Sequence, residues 1–229
     1  MIFLADAVQR ILPFESTIDN SVGVLAQSIG GGGGQGGAAF SGVLRANNPE
    51  EPTRVSLAFG GEGGEGGYGS AVTVNNYNGV GTFGYRSSGI FAQSVGGGGG
   101  NGATNVSGQV SKASGTEGEA GGNSDISIVV GVGGSGGEAA KSGDVTVTQF
   151  GQVTTKGDNS RGIFAQSISD GGGFGGLNVS ALVGTKTSPV IVGVGGSGGD
   201  GASAGNVAVF RGDSTSDAGA IVTDGEAAH

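Results

Sequence analysis

The 229-residue chain contains no cysteine and no tryptophan, one methionine, one histidine and four prolines. Without cysteine there is neither a disulfide framework nor a thiolate metal site. The single histidine, His229, is the last residue, no Ser-His-Asp arrangement is evident, and GGGGQGG lacks the strand-to-helix setting and the Lys of a phosphate loop. Basic residues are scarce too. Ten Lys and Arg stand against 19 Asp and Glu, a net charge of −9, which argues against nucleic acid and anionic membrane surfaces as partners. No apolar run approaches the ~18 residues of a membrane span. The opening MIFLADAVQRILPFE is a poor signal peptide, because Asp6 interrupts its apolar part and no basic residue precedes it. Apolar residues are 35% of the chain, below the usual ~45–50%. One thick core is therefore out of reach, but a thin continuous core made by stacking similar units is not.

Glycine is abundant, at 56 residues. Strict every-third glycine with high proline, the mark of collagen, is absent. A glycine-rich disordered matrix is the competing reading, and regular alternating Val and Ile runs speak against it. The decisive pattern is a stretch that occurs three times: SVGVLAQSIGGGGGQGG from Ser21, SGIFAQSVGGGGGNG from Ser88 and RGIFAQSISDGGGFGG from Arg161. Its glutamines, Gln27, Gln93 and Gln166, lie 66 and then 73 residues apart. The spacing divides the chain into an N-terminal cap or spurious start (1–20) and three repeats, 21–87, 88–159 and 160–229. The last stops just before the next GIFAQS, so the chain reads as a segment of a longer array.

Each repeat continues in the same order. A strand-like segment follows the glycines (39–45, 104–111, 177–184), then a variable loop (46–53, 112–125, 185–188), then a second strand (54–60, 125–133, 189–195). A second glycine block comes next, GGEGGE, GGSGGE or GGSGGD, ending at Glu65, Glu138 and Asp200. The strands AVTVNNY, DVTVTQF and NVAVFRG carry the period-2 alternation of half-buried β structure. No segment keeps helical spacing. The expected fold is all-β: a parallel β-helix or β-solenoid of glycine-rich repeats of about 66–73 residues, with hairpin excursions where the loops vary. Glycine is expected to turn tight corners at positive φ and to let backbone layers approach closely. In GIFAQSI, Ile163, Ala165 and Ser167 share one face and Phe164 and Gln166 the other; alternation leaves open which face is inside.

GDNSRGIFAQSI followed by glycines, joined to DVTVTQFGQVTTKGD, resembles the passenger repeats of large autotransporter (type V secreted) outer-membrane proteins of Gram-negative bacteria. The resemblance covers most of 19–229. It implies a β-helical passenger at the cell surface or outside the cell, anchored by a C-terminal outer-membrane β-barrel. The signal peptide and barrel of that pattern are not in this sequence.

Four candidate features stand beside a purely structural role. Glu65, Glu138 and Asp200 recur once per repeat, and calcium takes such oxygen ligands. However, carboxylates a whole repeat apart are expected to lie too far apart to share an ion, so solvated turns are the better reading. Arg211-Gly212-Asp213 matches an integrin-binding tripeptide within an insertion. Thr73 and Thr146 align as the start of a threonine face, broken by Ala208. A β-helix polysaccharide-degrading enzyme needs clustered acids and bases in a groove, and the sequence shows none. The expectation is a non-enzymatic surface scaffold or adhesin segment with no catalytic, cofactor or metal residues. Its contacts are expected at the loops 46–53, 112–125, 185–188 and 211–218. The expected partners are a host or neighbouring cell surface and, through open solenoid edges, a second copy.

Overall fold

The computed structural model describes residues 14–46, 53–112, 125–185, 187–212 and 219–229. Among them every regular element is a β-strand. β1 (Phe14–Ser16) precedes the first repeat, which contributes β2 (Val22–Ile29), β3 (Ala39–Ala46), β4 (Thr53–Phe59), β5 (Val72–Asn76) and β6 (Val80–Thr82). The second contributes β7 (Ser88–Val95), β8 (Asn105–Lys112), β9 (Asp125–Val132), β10 (Val145–Gln149) and β11 (Val153–Thr155). The third contributes β12 (Ile163–Ile168), β13 (Asn178–Thr185), β14 (Thr187–Val194), β15 (Val207–Arg211) and β16 (Ile221–Thr223).

Each repeat donates one strand to each of five parallel sheets: β2-β7-β12, β3-β8-β13, β4-β9-β14, β5-β10-β15 and β1-β6-β11-β16. The register matches like with like. Gln27, Gln93 and Gln166 are paired neighbours, as are Ala26, Ala92 and Ala165. One repeat along the sequence is thus one layer in space, ~4.8 Å away. The short β1 occupies the same place below β6 that β6 occupies below β11. This stacking of parallel strands is compatible with a β-solenoid.

Three of the sheets enclose the apolar core. Val72, Val74, Ile90, Ala92, Val145, Val147 and Val153 are buried in it, and Val24, Ala26, Ile163, Ala165 and Ile221 pack against it. The inner face of GIFAQS is therefore the Ile163–Ala165 face. The outer face stacks Phe91 on Phe164, with ring centroids 5.0 Å apart, and joins Gln27 Nε2 to Gln93 Oε1 at 3.0 Å.

The excursions are not hairpins. β3 and β4 flank one loop, yet each hydrogen-bonds to the equivalent strand of another layer rather than to its sequence neighbour. The two sheets they build face each other through side chains, as in a sandwich.

The glycine blocks are ordered, with a period of three. The amides of Gly30, Gly33 and Gly36 donate to the carbonyls of Val95, Gly98 and Asn101 in the next layer. Those of Gly61, Gly64 and Gly67 donate to Gly37, Gly34 and Gly31 in the same layer. Those of Gly97, Gly100 and Ala103 donate back to Gly67, Gly64 and Gly61, at 2.8–2.9 Å. Period three is that of the extended polyproline II helix, which has no internal hydrogen bonds and must find partners outside itself. Here each block finds them in its neighbours. A Cβ on Gly100 would run into the backbone of Gly34, and one on Gly134 into that of Gly61. Close approach is thus what glycine provides.

The other expected job, turning corners at positive φ, is largely done elsewhere. The only described glycines with positive φ are Gly212 and Gly225, while Asn20, Arg86, Asn159 and Ala227 stand at 52–55°.

Candidate functional site

The period of three decides which block residues reach the surface. Two of every three positions face other glycine segments and the third faces outward. In the first block the outward places are held by Gln35 and Ala38, then Asn101 and Thr104, then Phe174 and Leu177. In the second they include Glu62, Glu65 and Tyr68, then Ser135, Glu138 and Lys141, then Ser197, Asp200 and Ser203.

This placement corrects the separation expected for the carboxylates. The amide of Gly66 donates to the carbonyl of Glu138, and that of Ala139 to Asp200, both at 2.9 Å. Glu65, Glu138 and Asp200 therefore occupy successive layers and form one exposed acidic column rather than three distant turns. Among the described residues no group of three or more His, Asp or Glu stands where it could hold a metal ion. What the column supplies is a strip of negative charge facing solvent.

Thr73, Thr146 and Ala208 are paired neighbours, as their alignment requires, on the outer side of β5-β10-β15. In the tripeptide, Arg211 ends β15 and Gly212 has φ 66°, while Asp213 lies outside the described residues. The Arg211 guanidinium donates to the carbonyl of Gly219, which ties it to its own layer. The loops 46–53, 112–125, 185–188 and 211–218 lie wholly or in part outside the described residues.

The structure also gathers residues not paired in the sequence analysis. A groove of about 570 Å³ runs along the corner beside β2-β7-β12, lined by Asn20, Tyr85, Arg86, Phe91, Arg161 and His229. Arg161 stacks its guanidinium 4.6 Å from the centre of the Phe164 ring. No Asp or Glu side chain is among the described residues that line this groove. The signal for it was available in principle: cations are scarce, and two of them flank the repeated GIFAQS.

The excursions have an unusual polarity. Between the two sheets lie Asn105, Ser107, Gln109, Ser56 and Ser127, all buried. Ser41 and Ser56 share a hydrogen bond of 3.0 Å, Ser107 and Ser180 one of 2.9 Å, and Asn105 Nδ2 donates to Asn178 Oδ1 at 3.1 Å. The outer faces carry the large apolar side chains. Phe40 and Leu44 are 78% and 81% exposed, and Val55, Leu57 and Phe59 are exposed opposite them. A sandwich in water has the reverse arrangement.

No protein-family model, no curated protein and no solved structure matches this chain.

Proposed function

We propose that the chain is a β-solenoid segment of an autotransporter-like passenger: a non-catalytic scaffold outside a Gram-negative cell, held by an outer-membrane barrel in the full-length protein. The observation that carries this reading is the pairing of equivalent residues from all three repeats, Gln27-Gln93-Gln166 above all. A chain built this way lengthens by one thin layer per repeat and can project its loops far from an anchor. The GIFAQS, glycine and GDNS resemblance supplies the location. In this reading a host or neighbouring cell surface meets the loops. A second copy or a further repeat meets the strand edges of the end layers, whose backbone groups are ready-made pairing sites.

The test is surface labelling. An antibody raised against this chain should stain intact cells that express the full-length gene, and external protease should remove the signal. Staining only after lysis would sink the proposal. Reading the gene beyond the His229 codon provides a second check. Further GIFAQS-type repeats ending in a run of alternating amphipathic strands support an anchored passenger, and an immediate stop codon contradicts it.

A further inference from the structure

We infer that the two apolar faces of the excursion sandwich bind each other between copies, the ridge of one molecule seating in the groove of the next. On the outer face of β3-β8-β13, Gly42, Gly108 and Ala181 are paired neighbours and form a column with almost no side chain. Two tall columns flank it: Phe40, Val106 and Val179 on one side, Leu44, Val110 and Val183 on the other. Between the bare column and the Leu44 column this leaves an apolar groove of about 260 Å³, reaching through the layers from Gly42 and Leu44 to Ala181 and Val183. The outer face of β4-β9-β14 has no bare column. Its middle column is Leu57, Val130 and Val192, a continuous ridge between Val55-Ile128-Val190 and Phe59-Val132-Val194.

The two faces share one lattice. Strands repeat every ~4.8 Å in both, and columns on one face are two residues, or ~6.8 Å, apart. The ridge Leu57-Val130-Val192 can therefore follow the groove Gly42-Gly108-Ala181 layer by layer, with the flanking columns interdigitating as in sheet-on-sheet packing. In a chain of net charge −9, no charged residue stands in any of these six columns. Like-charge repulsion between copies is thus kept away from this contact. On the first face Phe40, Leu44 and Val183 are each more than half exposed, as are Leu57, Phe59 and Val194 on the second, and contiguous exposed apolar surface of this kind marks contact sites.

Groove and ridge are different surfaces, so the contact is heterologous. It leaves a free groove at one end and a free ridge at the other, and it grows as an open series rather than closing as a dimer. It is also separate from edge pairing, which joins layers along the stacking axis.

The experiment uses the full chain and sedimentation over a range of concentrations. The unaltered protein should show a mass series that climbs with concentration. A ridge variant, V130K with V192K, and a groove variant, G42L with G108L, should each be monomeric, with association weakened at least about tenfold. A Cβ added at Gly42 meets nothing within 4 Å and one at Gly108 only an ordinary contact with Ala181, and far-UV circular dichroism checks that each variant keeps its strands. Mixed, the two variants should form a one-to-one complex and nothing larger, because one keeps the groove and the other the ridge. Three results would overturn the inference: an unaltered protein that stays monomeric, variants that associate as before, or a mixture that gives no complex. A monomer that instead co-sediments with phosphatidylcholine vesicles would assign the faces to lipid and overturn it equally.

Discussion

Arg86 lies one layer above Asn20, and both hold left-handed backbone, at φ 52° and 54°. The amide of Asn20 donates to the carbonyl of Tyr85 at 2.8 Å, and that of Arg86 to Asp158 at 2.8 Å, so the corner repeats layer by layer. Asparagine tolerates this region; arginine and alanine do so at a cost of about 1–2 kcal/mol. Arg86→Gly should therefore raise stability by about 1 kcal/mol, read as a higher Tm. Ala227→Gly should act in the same direction, while Asn159→Gly should change little. A lower Tm for R86G would show that the Arg86 side chain contributes more than its backbone costs.

The glycine array makes a position-dependent prediction. Gly34 and Gly100 hold the same place in the first and second repeats. Beyond Gly34 there is nothing within 4 Å of an added Cβ, whereas at Gly100 that atom meets the Gly34 backbone. Gly34→Ala should be nearly neutral. Gly100→Ala should cost at least about 3 kcal/mol, because main chain on both sides would have to separate. Urea titration of the two variants decides it, and equal effects would refute the interlocked array.

Gln109 tests the polar interior of the excursions. It is buried between Val43 and Leu182 in its column. Its Nε2 donates to Ser127 Oγ at 3.3 Å, while its Oε1 finds no hydrogen-bond partner among the described residues. An unsatisfied buried acceptor costs about 1–3 kcal/mol. Gln109→Leu continues the apolar column and should stabilise the protein by about 1 kcal/mol in thermal melts. A destabilised Q109L would mean that the Ser127 bond outweighs the orphaned oxygen.

The apolar core gives the complementary case. Ile90 is fully buried among Val72, Val145 and Val153, so Ile90→Ala should lower stability by about 2–5 kcal/mol. Leu44→Ser, on the exposed excursion face, should leave the Tm of the monomer nearly unchanged. Denaturant midpoints for both variants provide the comparison.

Much of this architecture was legible in the sequence. The strand read at 39–45 is observed at Ala39–Ala46, and that read at 144–150 at Val145–Gln149. Both carry alternation and are bounded by glycine or loop residues. The internal repeat implied parallel stacking of like on like, and the paired glutamines have that register. Three things were hidden. The triplet order of the blocks, GGE-GGE-GGY and GGG-GGQ-GGA, looks like undirected glycine richness until neighbouring segments show why two positions in three are held by glycine or alanine. The inner face of the excursions could not be chosen, because alternation fixes that two faces differ but not which is wet; placing Leu44 outside and Gln109 inside contradicts the usual preference. The distance between Glu65 and Glu138 was misjudged because 73 residues along the chain are a single layer across it.

The glycine array is cohesive without being oily. Its segments are joined by amide–carbonyl bonds and by contacts between bare backbones, and almost no apolar side chain leaves water to form it. Hydrophobic burial is what gives unfolding its large positive heat-capacity change and makes folded proteins weaken on cooling. A layer held mainly by peptide groups contributes little to that term. Per residue, this protein should have a flatter stability curve than one held by a conventional core, and its glycine array should keep its grip at low temperature, where hydrophobic association fades.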